Sequence, residues 1–189
     1  MITVILWKGI SWQSMENCRI QSTDEAHDIR SVITGVQDER IFRIEYEIRT
    51  DRKWQTLFVK ISTEIDGETL LTVLEKKNGH WYLNGKSAPE FEAAAFVDIS
   101  LTPFTNTLPI KGVRWTKEPR TIDVIYFDMM AGEVKLVQQI YKALDESHYF
   151  FSTADGSFQE TITVDSDGFV DDYPGLFKMI AKQKMPDKK

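Results

Sequence analysis

The feature that most constrains this chain is a period-two alternation of apolar and polar residues, broken at short intervals by Asp-Gly and Asn-Gly pairs. Ile44, Tyr46 and Ile48 alternate with Arg43, Glu45, Glu47 and Arg49, as a strand with one wet face requires. Leu57, Val59 and Ile61 alternate with Thr56, Phe58, Lys60 and Ser62, so the next strand carries an aromatic where the first carries charge. Asp66-Gly67 and Asn78-Gly79 follow, and both pairs suit tight turns with positive φ. The stretch 43–84 therefore predicts an antiparallel meander. In the second half Ile122, Val124 and Tyr126 alternate with Thr121, Asp123, Ile125 and Phe127. Apolar-rich runs at 134–144, 148–153 and 158–164 come next, with Asp155-Gly156 and Asp167-Gly168 as turns. Strands with apolar residues on both faces suit a curved sheet or barrel in which one face packs and the other lines a cavity. The expectation is a mainly β single domain of long antiparallel strands, with a rhythm that suggests two similar halves.

Helical signals are confined to two places. Acidic residues precede Pro174, and Leu176, Phe177, Ile180 and Ala181 form an apolar stripe, which predicts a C-terminal helix over about 174–183. Ser87 and Glu90 stand at capping-box spacing and open a shorter candidate through Ala95. Polar residues dominate 184–189, which reads as a frayed tail after a domain at 1–183. No low-complexity linker divides the chain, and 189 residues suit one domain.

Charge and cysteine content narrow the function classes. The net charge of -6 lacks the basic surface that phosphate neutralisation demands, so nucleic acid is not an expected partner. A single cysteine, Cys18, forms no intramolecular disulfide, which fits a reducing compartment. The stretch Met1–Trp7 is too short to span a bilayer and lacks the basic start of a secretion signal. A cytoplasmic protein without integral membrane association is the expectation. Five Trp, six Tyr and eleven Phe supply enough aromatic area for a large core or a lined cavity.

Catalytic and metal signatures are missing from the sequence. His27, His80 and His148 have no ligand spacing between them, and no metal or cofactor is expected. Asp165-Ser-Asp167-Gly168 with Asp171-Asp172 fails calcium-loop spacing and reads as a turn with a solvated acidic rim. There is no Gly-x-Ser-x-Gly elbow and no glycine-rich phosphate loop. Cys18 reads as a buried structural thiol.

One segment differs from the rest. Val97 to Ile110 holds two prolines, Pro103 and Pro109, with hydroxyl and amide side chains between them and no charge after Asp98 until Lys111. Two missing backbone donors exclude a central strand throughout. Thr102, Thr105, Asn106 and Thr107 suit either an ordered crossover between two β halves or an uncharged polar ledge at a pocket mouth.

The run Asp98-Ile-Ser-Leu-Thr-Pro-Phe-Thr-Asn-Thr-Leu-Pro-Ile110 closely resembles the signature of the putative glycolipid-binding family, a bacterial group first catalogued as a domain of unknown function. Other pieces match in order across 12–180. They are Trp12 with Glu16 and Cys18, Tyr46 with Asp51 and Trp54, and Gly79-His-Trp81 with Asn84-Gly85. Gln139 with Tyr141, Val164-Asp165 with Gly168, and the closing Asp172-Tyr-Pro174 follow. Two departures stand out. Lys111-Gly112 replaces a usual pair of arginines, which weakens any anionic-headgroup role, and Phe96 with small alanines replaces an acid and a cysteine before Asp98. The resemblance implies an open or closed curved antiparallel sheet, similar to carriers that hold lipid chains inside a half-barrel. It also implies glycolipid binding or a part in glycolipid metabolism.

Three functions remain open. The favoured one is a non-enzymatic binder of a glycolipid or similar amphiphile, with an apolar β-lined cavity and a polar rim near 98–110. Its candidate binding residues are Trp54, Trp81, Asp98, Thr105, Asn106, Lys111, Trp115 and Tyr173, the tryptophans because flat sugar faces stack on indoles. The second is an enzyme acting on a sugar or lipid substrate, with Asp98, Asn106, Asp165 and Tyr173 as its polar groups. The third is a protein-interaction module with its cavity packed shut. An exposed edge strand would allow a homodimer.

Overall fold

A computed structural model describes residues 1–186. The first half of the chain is a run of antiparallel strands: β1 (Ile2–Gly9), β2 (Gln13–Ser22), β3 (Ala26–Gln37), β4 (Arg40–Asp51), β5 (Thr56–Ile65), β6 (Glu68–Lys77), β7 (His80–Leu83) and β8 (Lys86–Ser87). A single 3-10 turn, Pro89–Phe91, leads to β9 (Phe96–Ile99) and helix α1 (Phe104–Gly112). The second half adds β10 (Arg120–Asp128), β11 (Glu133–Ala143), β12 (His148–Thr153), β13 (Gln159–Val164), β14 (Val170–Tyr173) and β15 (Phe177–Met185). The meander expected over 43–84 is present as β4 to β7. Asp66-Gly67 and Asn78-Gly79 both hold positive φ in its turns.

All fifteen strands belong to one sheet, in the order β8 to β1, then β15 down to β9. Neighbouring pairs are antiparallel except β9 with β10. Strands β1 and β15 therefore lie side by side in the middle, with Ile2 opposite Met185 and Gly9 opposite Phe177. The two edges, β8 and β9, are consecutive in the chain and are joined by only residues 88–95. Fifteen strands laid flat would measure roughly 65 Å across, whereas the link reaches about 30 Å at most. The sheet must curl until its edges nearly meet. Among the described residues β8 and β9 do not pair, so the curl stays open rather than closing as a barrel. The link is fastened to the first half, where Thr56 N–H donates to the Ala95 carbonyl at 2.9 Å and the Trp81 indole to the Ala94 carbonyl at 3.2 Å.

Helix α1 fills the inside of this curl. Phe104 to Ile110 are all buried, and they meet inward-facing side chains from both halves. Phe104 stacks against Tyr46 of β4, and the Asn106 amide donates to the Tyr141 hydroxyl of β11 at 2.9 Å. The segment expected as a crossover or ledge is thus a short strand followed by a buried helix. Pro103 stands just before its first turn, and Thr102 Oγ1 accepts the Phe104 N–H at 3.0 Å.

Two helical expectations are corrected. Residues 177–185 form strand β15, not a C-terminal helix. The apparent stripe arises from a bulge, because Leu6 pairs with Ala181 and Trp7 with Met179, leaving Ile180 as the extra residue. Ile180 is half exposed, as a bulge residue on a wet face can be. Pro174-Gly175 makes a turn, with φ +73° at the glycine. The second candidate, opened by Ser87, shrinks to the 3-10 turn at Pro89–Phe91, with no side-chain cap. Of the expected tail, Lys184 and Met185 complete β15, and residues 187–189 lie outside the described residues.

Gly112 ends α1 where the helix is pressed against the sheet. A Cβ there would stand 2.6 Å from the Phe96 ring and 2.8 Å from the Lys53 carbonyl. This contact explains why a large side chain is missing from the second of the two positions after Ile110. Gly112→Ala should therefore lower stability by about 1–3 kcal/mol through overpacking, read as a lower urea midpoint at unchanged slope.

Candidate functional site

The curl leaves a cavity of about 630 Å³ between the start of α1 and the strands of the second half. One wall is aromatic, built from Trp12, Phe151, Phe158, Tyr173 and Phe177. These rings pack edge-on or tilted against one another, with Phe151 and Phe158 each 6.1 Å from Tyr173, and Trp12 5.3 Å from Phe177. Another part of the lining is polar. It carries Asp98 and Ser100 from β9 and the turn after it, Thr102 and Asn106 from the start of α1, and Gln139 from β11.

The polar wall is a connected network. The Asp98 carboxylate accepts from Thr105 Oγ1 at 2.8 Å and from the Gln139 amide at 2.6 Å. Gln139 in turn accepts from the Tyr141 hydroxyl at 3.2 Å, and that hydroxyl accepts from Asn106. Thr105 also accepts the Ile99 N–H, which locks the turn between β9 and α1. Burial raises the Asp98 carboxyl above its ordinary range, opposed by the bonds from Thr105 and Gln139. Burial and the nearby Asp98 push the Tyr126 phenol up to about 12. Within the same wall Leu101 has φ +71°, a conformation that is uncommon for a branched side chain and marks local strain.

A second buried polar group joins this wall from behind. Glu16, on β2, is 2 % exposed. Its Oε1 accepts from Ser31 at 2.7 Å and from the Tyr46 hydroxyl at 2.6 Å. Its Oε2 has no hydrogen-bond partner. The Tyr46 hydroxyl also lies 3.3 Å from Thr102 Oγ1, so the chain Glu16–Tyr46–Thr102 runs from the interior of the first half to the cavity. Burial pushes the Glu16 carboxyl up to about 7, against the smaller opposing effect of its hydrogen bonds. Cys18 beside it is fully buried, and burial pushes its thiol well up, with the Glu16 charge adding to the effect.

The structure divides the residues singled out in the sequence. Asp98, Asn106 and Tyr173 line the cavity, and Thr105 stands behind Asp98. Trp54 and Lys111 meet each other elsewhere. Lys111 Nζ lies 4.9 Å from the centroids of both Trp54 and Phe169 and donates to the Asp167 carbonyl. Trp54 stacks on His27 at 3.8 Å, and Asp51 holds it at φ +65° by accepting the flanking Lys53 and Gln55 N–H groups. Asp165 belongs to the same neighbourhood, where it caps its own turn and receives Lys182. This cluster fastens the β4–β5 turn to the end of α1 and the β13–β14 turn. Trp81 is fully buried beneath the link, and Trp115 packs on Tyr141 and Tyr149 while its indole donates to the Ile110 carbonyl. Sequence reasoning did not assign Gln139, Phe151 or Phe158 to the site, and Ser100 fell within the polar rim expected near 98–110 without being named. Gln139 and Trp12 did stand among the family-like positions, which was the available signal. Among the described residues no cluster of His, Cys, Asp and Glu could hold a metal ion.

The class defined by this geometry is an open, curled β-sheet wrapped around a buried helix, with a half-polar, half-aromatic cavity at the helix start. The chain belongs to the family described as "Putative glycolipid-binding", whose profile matches residues 4–179. It is similar to a crystal structure of a DUF1089-family protein from Pseudomonas aeruginosa, with 28% identity and a TM-score of 0.76 over 87% of this chain and 91% of that one. No curated protein matches. Among the described residues no helix is long and apolar enough to cross a membrane.

The Glu16 geometry gives a testable pH dependence. Its folded-state value of about 7 lies above its ordinary 4.5, so the folded form holds the proton more tightly than the unfolded chain. The stability this contributes is full below about pH 4.5 and is lost as the pH rises through about 7. The loss amounts to about 3 kcal/mol. Glu16→Gln keeps the acceptor for Ser31 and Tyr46 and removes the titration. Urea midpoints of the variant should therefore exceed those of the wild type by more at about pH 8 than at about pH 5. An equal difference at the two values would show that Glu16 does not titrate in this range.

Proposed function

We propose that the chain binds one amphiphile in the cavity at the start of α1 and does no chemistry on it. The single observation that carries this reading is the mixed lining of the cavity, part polar network and part aromatic cluster. Asp98, Ser100, Asn106 and Gln139 offer hydrogen bonds, and Phe151, Phe158, Tyr173 and Phe177 offer apolar area. A volume of about 630 Å³ lies inside the range of roughly 300–1,000 Å³ found for small-molecule pockets. It suits a headgroup with part of a chain better than a whole two-chain lipid. Each methylene buried against the aromatic wall is worth about 0.8 kcal/mol, so a short chain suffices for useful affinity. Membership of a family described as glycolipid-binding supports a sugar-bearing ligand. An open cavity favours this reading over an interaction module packed shut. A location in the cytoplasm and a role in glycolipid metabolism are compatible extensions of it.

Native mass spectrometry with lipid extraction of the same purified sample tests the proposal. The expected result is a co-purifying amphiphile of defined mass. Added glycolipid at about 100 times its dissociation constant should stabilise the fold by roughly 2.7 kcal/mol, seen as a rise in melting temperature. Ala154→Trp, at the exposed lip of the cavity, should abolish that rise while leaving the ligand-free melting temperature nearly unchanged. A bare protein that gains nothing from a panel of glycolipids would overturn the reading.

A further inference from the structure

Resting on the amphiphile-binding reading, we propose that Asp98 is the specificity determinant of the cavity and that the headgroup it takes is uncharged and hydroxyl-bearing, with anionic headgroups excluded. The charges along the cavity carry the argument. Among the described residues the charged side chains lining it are Asp98, Lys135 and Asp155. Lys135 is exposed at the rim, 3.6 Å from Glu133 and over the Tyr126 ring. Asp155 is exposed on the β12–β13 turn, held by Ser157 and Thr153. The polar wall itself therefore contains one acid and no cation.

Lys111, the natural candidate for an anion-binding group, is turned away. Its amine is engaged with the Asp167 carbonyl and lies over Trp54 and Phe169. The next position holds no side chain, because Phe96 and the Lys53 carbonyl occupy the space. An anion entering the cavity would meet a carboxylate fixed by Thr105 and Gln139, with no compensating charge inside. Like charges placed together in a poorly hydrated site are strongly disfavoured.

Uncharged hydroxyls fit the wall on other grounds. Ser100, Thr102, Asn106 and Gln139 are all hydroxyl or amide side chains that line the cavity. Asn106 uses its amide nitrogen on Tyr141 and leaves its carbonyl oxygen free to accept. Each Asp98 oxygen receives one bond from the protein and has a lone pair left. A sugar hydroxyl both donates and accepts, so it satisfies this mixture. An ammonium only donates: it pairs with the Asp98 and Asn106 oxygens but gives no acceptor to the second N–H of the Asn106 and Gln139 amides.

The test compares three probes with one chain length: n-octyl glucoside, n-octyl sulfate and n-octylammonium. Titration calorimetry is run below their micellar concentrations at neutral pH. Moderate salt screens the overall negative charge of the protein. The expected result is that the glucoside binds about 10–100-fold tighter than the sulfate. In Asp98→Asn the ratio should fall toward one. The Asn side chain still accepts from Thr105, and the Gln139 amide can turn to receive its N–H. Sulfate binding as tightly as glucoside in the wild type, ammonium binding tightest, or an unchanged ratio in Asp98→Asn would each overturn the assignment while leaving amphiphile binding intact. Failure of all three probes to bind would instead remove the binding reading itself, and this inference with it.

Discussion

The short link between the two edges of the sheet governs the rest of the molecule. Residues 88–95 join strands that stand at opposite ends of the hydrogen-bond order. No chain of that length spans a flat sheet of fifteen strands. Curvature is thus imposed by connectivity, beyond the twist that any sheet adopts. A curled sheet encloses volume, and that volume has to be filled. Helix α1 fills most of it, which is why Phe104 to Ile110 are buried on every side. What α1 leaves unfilled is the cavity at its start.

Burying a helix rich in Thr and Asn brings a second requirement, because each buried polar group needs a partner. Thr105 finds Asp98, Asn106 finds Tyr141, and Thr102 finds Tyr46, while the buried Thr107 hydroxyl has no hydrogen-bond partner. Those partners come from both halves of the sheet, so the same bonds that satisfy the helix also set the distance between β4 and β11. Where the helix ends, Lys111 over Trp54 and Phe169 makes a matching fastening. The polar wall of the cavity is the exposed side of the first set of bonds. Recognition and fold share one network.

Much of the sheet is legible in the sequence, since alternation with Asp-Gly and Asn-Gly punctuation reports strands directly, as in β4 to β7. Helix α1 is not legible, because a helix buried on all sides has no polar face and so no 3.6-residue stripe. The false C-terminal helix has the opposite cause: the bulge at Ile180 breaks the alternation of β15 and leaves a spacing that imitates a helix. Asp98, Asn106 and Tyr173 were reachable from family-like runs. Gln139 stood in such a run without being assigned to the site, and Phe151 and Phe158 stood in none. Alternation tells which face a residue is on, and only the curl decides which residues on that face meet.

The position of β1 and β15 carries a consequence for how the molecule comes to be made. These two strands form the central seam of the sheet, yet they are the earliest and latest of the described strands, with Ile2 set against Met185. During synthesis β2 to β8 can pair with their sequence neighbours as they emerge, while β1 has one flank open throughout. The seam closes only after the last strand has left the ribosome. Contacts of such long sequence separation form slowly, and an open strand flank is a site for unwanted pairing meanwhile. The two halves must therefore wait for each other, and the cavity, lined by Trp12 after β1 and by Phe177 of β15, is complete only once that strand is in place.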